Sequence, residues 1–274
     1  MNIISVTGGK GGTGKSTFAL LYASKLAREG NKVVMIDADV ECPNDHLIIG
    51  KELKKEKEIL EPYPVLDKGK CTKCGKCANI CKENAIFFVE GQYPTVIKEM
   101  CTSCGACWNV CPEKAILTKE KVTGEIFSAK ISDNFFLVSG LSDSKTEETG
   151  PIVKKTVDFG RKKAEEMNAD YIIIDSAAGL HCPVISAIIN SKKVFAVTEA
   201  TPLGKHDIGL VIELIKKIGL PVEIVLNKSD IGSKEFVNEI CKKENITLAY
   251  EIPYNKKIIN AYCNGKIGYL EGIL

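Results

Sequence analysis

The chain has 274 residues, a formal net charge of +2 and twelve cysteines. That length can bury a large core and allows one or two domains. The near-neutral balance argues against a strongly basic nucleic-acid surface, and no apolar run approaches the roughly 20 residues of a membrane span. The N-terminus enters a strand pattern at once, which leaves no room for a signal peptide. The expectation is a soluble, cytoplasmic chain with no membrane or nucleic-acid partner. In a reducing cytosol the cysteines read as metal ligands before disulfides.

A short apolar run, Ile3-Ile4-Ser5-Val6, leads into Gly8-Gly9-Lys10-Gly11-Gly12-Thr13-Gly14-Lys15-Ser16-Thr17. From Gly9 to Ser16 this fits the phosphate-loop pattern G-x-x-x-x-G-K-[ST]. Glycines let backbone N–H groups turn inward around phosphate oxygens, and the helix that follows aims its N-terminal dipole at the same anion. Gly11, Gly12, Thr13, Gly14, Lys15, Ser16 and Thr17 are therefore the expected nucleotide-binding run. Lys15 would reach the β- and γ-phosphates, and Ser16 would place its hydroxyl on Mg²⁺. A helix from about Lys15 to Arg28 ends at Gly30-Asn31. Val33-Val34-Met35-Ile36 reads as a buried strand and runs into Asp37-Ala38-Asp39-Val40-Glu41-Cys42-Pro43-Asn44. Residues 51–64, rich in Lys and Glu with Pro62 and Pro64, read as a solvated connection in which a short helix is possible.

An internal repeat follows. Cys71, Cys74, Cys77 and Cys81 recur thirty positions on as Cys101, Cys104, Cys107 and Cys111. Each copy reads C-x₂-C-x₂-C-x₃-C and continues through Glu83, Ala85 and Ile86 or Glu113, Ala115 and Ile116, as one small unit duplicated. Three thiolates of one run can hold three corners of a [4Fe–4S] cube, and the fourth must come from elsewhere. Structural zinc, the alternative, usually pairs two separated C-x₂-C knuckles.

Strands then alternate with helices. The patterns are strands at Phe135–Val138, Tyr171–Asp175, Val194–Val197, Val222–Leu226 and Ile246–Tyr250, with helices from about Pro151, from Thr201-Pro202 and near Lys234–Lys242. Such alternation predicts a mostly parallel sheet covered on both faces, with ligands at the strand C-termini. Asp37, Asp39, Asp175 and Asn227 fall at that edge together with the phosphate loop.

Lys10, a second lysine early in the loop, resembles the deviant phosphate loop of the MinD/Mrp/ParA/nitrogenase-iron-protein class. Asp37-Ala38-Asp39-Val40-x-x-Pro43-Asn44 resembles that class's first switch, and Asp175-Ser176-Ala177-Ala178-Gly179 its Walker B and second switch. With the cysteine repeat, the chain resembles the MinD-like ATPases that carry an inserted ferredoxin domain. The resemblance implies a P-loop NTPase fold in residues 1–64 and 127–274. Residues 65–126 would be an inserted α+β unit of the bacterial two-cluster ferredoxin type. It implies ATP and Mg²⁺ as ligands, and a homodimer in the ATP state in which Lys10 reaches the partner's phosphates. Asp39 would orient the attacking water, while Ser16, Asp37 and Asp175 would serve Mg²⁺. Asn227-Lys228-Ser229-Asp230 has the N-K-x-D form that reads guanine in GTPases, but in this family the Asn contacts adenine and the segment at Pro253 lines the base.

In two-cluster bacterial ferredoxins the last Cys of each run ligates the other cluster. Carried over, one [4Fe–4S] cluster takes Cys71, Cys74, Cys77 and Cys111, and the other takes Cys101, Cys104, Cys107 and Cys81. Cys42 and Cys182 read either as small buried hydrophobes or as a bridging metal site between protomers; Cys241 and Cys263 read as buried hydrophobes. The expected function is an ATPase whose nucleotide state controls the ferredoxin unit. Its task would be metallocluster assembly or maturation, or electron delivery to a redox partner. The alternatives are a MinD/ParA-like spatial regulator and a passive two-cluster electron carrier.

Overall fold

The computed structural model describes residues 1–274. The chain divides into two compact units: Met1–Lys57 with Ile126–Leu141 and Thr149–Leu274, and Glu58–Glu125 with Ser142–Glu148.

In the larger unit, β1 (Asn2–Thr7) runs through the phosphate loop into α1 (Lys15–Arg28), then β2 (Val33–Asp37) and the short α2 (Asp45–Ile48). Two strands, β3 (Lys54–Leu66) and β6 (Ile116–Ser132), each run through a boundary between the units. Between them the smaller unit holds α3 (Lys76–Ile80), β4 (Ile86–Phe87), β5 (Thr95–Val96) and α4 (Ala106–Val110). The chain continues with β7 (Phe135–Ser142), α5 (Gly150–Met167), β8 (Tyr171–Asp175), α6 (Cys182–Ile188) and β9 (Lys193–Glu199). It ends with α7 (Pro202–Lys217), β10 (Val222–Asn227), α8 (Glu235–Glu244), β11 (Thr247–Ile252) and α9 (Lys256–Cys263).

The large sheet has the order β11-β10-β9-β1-β8-β2-β7-β6-β3. Every pairing from β11 to β7 is parallel. β2 is buried along its whole length, as the continuous run Val33–Ile36 requires of a strand covered on both faces. On one face, Phe18, Leu21 and Tyr22 of α1 pack into a core with Val6, Phe195 and Val225. Phe18 meets Phe195 edge-on at 5.2 Å between ring centroids. On the other face α5 approaches β2 so closely that a Cβ on Gly160 would stand 2.4 Å from Ile36 Cδ1.

The segment read as a solvated connection is instead β3, at the sheet edge. Its first five residues are exposed, and lysines and prolines there suit an edge strand that must not recruit another. Neighbouring strands β6 and β7 are joined by just Asp133 and Asn134, a hairpin connection.

In the smaller unit, β4 and β5 pair antiparallel, Ile86 opposite Val96 and Phe87 opposite Thr95. The helices α3 and α4 occupy equivalent places in the two repeats. Each starts after a left-handed glycine, Gly75 at φ 71° and Gly105 at φ 84°. Its buried core is small: Cys77, Ile86, Cys107 and Ile116.

Candidate functional site: a nucleotide edge and a cysteine unit

Parallel pairing brings the strand C-termini of the larger unit to one edge. Asp175 lies opposite both Val6 and Asp37, and Asn227 lies opposite Glu199 and Ile252. Backbone bonds lock the edge: Ala38 N–H donates to Asp175 O at 2.8 Å, Ser176 N–H to Val6 O at 3.1 Å and Gly179 N–H to Gly8 O at 3.0 Å.

The phosphate loop is shaped by glycines with specific duties. Gly12 and Gly14 are left-handed, with φ 79° and 94°. A Cβ on Gly14 would stand 2.3 Å from Asn227 Nδ2, whereas Cβ atoms on Gly11 and Gly12 would meet nothing within 4 Å. That open side, bordered by the N-terminus of α1, is a concavity suited to anionic oxygens. Asn227 Nδ2 donates to Thr13 O at 2.8 Å, so the side chain that the resemblance assigns to the base also braces the phosphate loop. Lys15 is buried, and its ammonium donates to Lys10 O at 3.4 Å. Lys10 itself is half-buried.

Carboxylates face the loop. Asp175 is buried and its Oδ1 has no hydrogen-bond partner. Burial pushes its pKa up to about 7, opposed by a hydrogen bond from Ser16 and the Lys15 charge, and reinforced by Asp39. Burial also raises Asp37 well above the usual carboxylate range, with Asp175 and Asp39 adding to it. Asp37 accepts N–H bonds from Asp39 at 3.3 Å, Asn44 at 3.0 Å and Asp45 at 3.2 Å. Asp39 is half-buried, and burial raises it against the lowering charges of Lys15 and His181. Thus Lys15, Ser16, Asp37, Asp39 and Asp175 share one site. The orphaned Asp175 oxygen and the Ser16 hydroxyl beside it are hard-oxygen donors of the kind Mg²⁺ takes.

Asp45 escaped the sequence reading. It is fully buried, neither of its oxygens has a partner, and burial with the neighbouring Asp37 holds it well above the usual range. Following Asn44 it has the look of a turn residue, and only its packing under Asp37 distinguishes it. The N-K-x-D segment is tied down locally. Lys228 pairs with Glu199 at 2.6 Å, and Asp230 accepts the Tyr254 N–H at 2.6 Å, which holds the exposed Pro253 beside the Asn227 edge.

A family profile described as "CobQ/CobB/MinD/ParA nucleotide binding domain" matches residues 4–268. The chain belongs to this nucleotide-binding family. An uncharacterized protein of Methanocaldococcus jannaschii is 37% identical over 268 residues, covering 97% of this chain and 91% of its own length. An iron–sulfur cluster carrier protein of Rickettsia bellii is 26% identical over 262 residues, covering 94% of this chain and 63% of its own. Among solved structures, the cell-division ATPase MinD of Pyrococcus furiosus superimposes with a TM-score of 0.59 at 20% identity, over 97% of this chain and 89% of its own. MinD of Pyrococcus horikoshii complexed with Mg-ADP gives 0.56 at 20% identity, over 96% and 86%. These structural likenesses concern the fold. No helix is long and apolar enough to cross a membrane.

In the cysteine unit the two repeats are built alike. Lys73 N–H donates to Cys71 Sγ and Ser103 N–H to Cys101 Sγ, each at 3.4 Å. Ala85 N–H donates to Cys81 Sγ at 3.3 Å and Ala115 N–H to Cys111 Sγ at 3.2 Å. Cys81, Cys101, Cys104 and Cys107 line one small cavity of about 20 Å³, bordered also by Pro64, Ile86 and Trp108. Burial raises the Cys77 thiol, and Cys111 and Cys71 push it further. Burial raises Cys107 to about 11, with Cys101 and Cys104 adding. Cys81 of the first repeat thus stands with Cys101, Cys104 and Cys107 of the second, and Cys111 of the second stands with Cys71 and Cys77 of the first. No three His, Cys, Asp or Glu side chains converge as a single ion requires; in a cluster each thiolate binds a different iron.

Of the remaining cysteines, Cys42, Cys182 and Cys263 are exposed and Cys241 is intermediate. The buried-hydrophobe reading of these four is therefore corrected. Cys42 sits in the loop ahead of α2 and Cys182 opens α6, both too close to the strand edge to enter the core.

Proposed function

We propose that this chain is an ATP-hydrolysing iron–sulfur protein whose nucleotide-dependent dimer switch controls a two-cluster ferredoxin unit. Its work would lie in metallocluster assembly or maturation, or in electron delivery to a partner protein. The observation that carries the reading is the gathering of Lys15, Ser16, Asp37, Asp39 and Asp175 at one sheet edge in a chain that also carries the duplicated cysteine unit. The Mg-ADP in one fold neighbour and the iron–sulfur carrier name of one relative support its two halves.

ATP would seat its phosphates against the N–H groups of Gly11 to Thr17, with Asn227 and Pro253 towards the base. Mg²⁺ would be held by Ser16 and served by Asp37 and Asp175, and would neutralise phosphate charge. Asp39, made more basic by burial, would orient the water whose oxygen bonds to the γ-phosphorus as the bond to the β–γ bridging oxygen breaks, giving ADP and phosphate. Lys15, and Lys10 of a facing protomer, would balance the charge spreading over the transferring group. Loss of the γ-phosphate would release the segments after Asp37 and Asp175. The first leads, through β3, into the cysteine unit. There, Cys71, Cys74, Cys77 and Cys111 would hold one [4Fe–4S] cluster, and Cys101, Cys104, Cys107 and Cys81 the other, supplying one-electron chemistry.

Lys15→Ala should abolish ATP hydrolysis and leave the brown cluster absorbance in place; retained turnover would sink the site assignment. Replacing Cys74 and Cys104 together should cost the protein iron, and an unchanged iron content would refute the ligand assignment.

A further inference from the structure

The two cysteine repeats match in backbone but not in charge. Residues 68–84 hold five lysines (Lys68, Lys70, Lys73, Lys76, Lys82) and one glutamate; the equivalent residues 98–114 hold two lysines and two glutamates. At the thirty-residue offset, Lys73, Lys76 and Lys82 are replaced by Ser103, Ala106 and Pro112. All five lysines are exposed. Of them, Lys70 alone has a carboxylate within ion-pair reach, Asp67 at 3.8 Å. Lys68 and Lys73 both lie over the ring of Tyr93, at 5.6 and 4.6 Å from its centroid. The loop beneath is fixed: Lys73 is left-handed at φ 58°, and a Cβ on Gly75 would stand 2.6 Å from Phe88 Cε1.

We infer that the first cysteine loop is a docking surface for an acidic protein, which would meet the unit at the Cys71–Cys77 side and not at the Cys101–Cys107 side. Lysines without a carboxylate partner, here Lys68, Lys73, Lys76 and Lys82, give orientation and a fast encounter with a negative surface. Exposed Ile80, Phe87 and Val89 lie within the same repeat, the mixture of apolar and charged groups that protein interfaces use. Nucleic acid fits less well. The lysines fall within residues 68–82, and the chain's two arginines, Arg28 and Arg161, lie outside this unit, although arginine is the residue favoured for phosphate recognition. The inference rests on the proposed function only in calling the acidic partner a redox or cluster-exchange protein; the charge asymmetry stands without clusters.

The test uses the full chain, prepared anaerobically, and a strongly acidic plant-type ferredoxin as the probe, with affinity measured from about 50 to about 500 mM salt. Binding should weaken steeply with salt, and the triple variant Lys73→Glu, Lys76→Glu, Lys82→Glu should bind at least roughly tenfold more weakly. The control Lys114→Glu, Lys119→Glu, on the second repeat, should lose less than about twofold. Unchanged iron content and visible absorbance in both variants check that the cysteine unit folds, and unchanged ATP hydrolysis checks the larger unit. No binding by the parent chain, or equal losses in the two variants, would overturn the inference. So would tighter, triple-variant-sensitive binding to duplex DNA or anionic vesicles. Iron is measured alongside: a parent chain without iron defeats the cluster assignment, while the binding comparison still decides this one.

Discussion

In the nucleotide-binding unit, the reactive side chains stand on a core that contains none of them. Phe18, Leu21, Val33, Met35, Ile173 and Phe195 are buried beneath the edge that holds Lys15 and Asp175. In the cysteine unit, two of the four buried core residues, Cys77 and Cys107, are themselves expected ligands. Apolar burial at about 25 cal/mol per Å² can hold the first unit without its ligand. So small a core as the second contains usually needs a metal or a crosslink. The site in one unit is an accessory to the fold; in the other, the proposed clusters would be part of what folds it.

Removing the proposed clusters should expose that difference most visibly. Chelation should leave residues 71–115 exchanging their amide protons unprotected, while α1, β1, β8 and β9 keep theirs. Equal loss in both units, or none in either, would erase the contrast. Next in size is Phe18→Ala, expected to cost the larger unit about 3–5 kcal/mol in denaturant unfolding through the cavity left among Tyr22, Phe195 and Tyr250. The visible absorbance should survive in native buffer.

A pH effect should sharpen the comparison further. Asp175 rises from 3.8 to about 7 on folding, and Asp37 and Asp45 rise in the same sense. The native state then holds more protons than the unfolded one, so stability falls as pH rises from about 4 to about 7, the window Asp175 sets, with Asp37 and Asp45 acting in the same direction. Without Mg²⁺ or nucleotide the thermal midpoint of the larger unit should follow that course, and Asp175→Asn should flatten it. A midpoint that climbs across this window would contradict the burial assigned to these groups. Smallest is Thr201→Ala. Its hydroxyl accepts the Gly204 N–H at 3.0 Å to cap α7, and its loss should cost about 1 kcal/mol, read as a small shift in the same unfolding curve.

The same contrast governs what could be read from the sequence. Continuous apolar strands such as Val33–Ile36 and Tyr171–Ile174 are legible because a two-sided burial leaves no other pattern. The phosphate loop is legible because only glycine fits its backbone. The cysteine spacing is legible because ligand geometry fixes it. β3 was not, since the residues that protect a sheet edge, here Lys54, Lys55 and Lys57, are those of a solvated linker. The short α6 and α9 lack enough turns to show a period, and α2 is a single turn. Asp45 is polar in sequence and buried in the fold, so only tertiary packing reveals it. The bracing bond from Asn227 to Thr13 spans most of the chain and has no local signature.

The central claim is that the nucleotide edge controls the cysteine unit. Hydrogen exchange across residues 71–115 tests it most directly, on the full, iron-loaded, anaerobic chain, with and without Mg²⁺ and a non-hydrolysable ATP analogue. Altered protection of the cysteine loops is expected when the analogue binds, and no change in Lys15→Ala. Identical exchange in the two states, at full nucleotide occupancy, would contradict that claim.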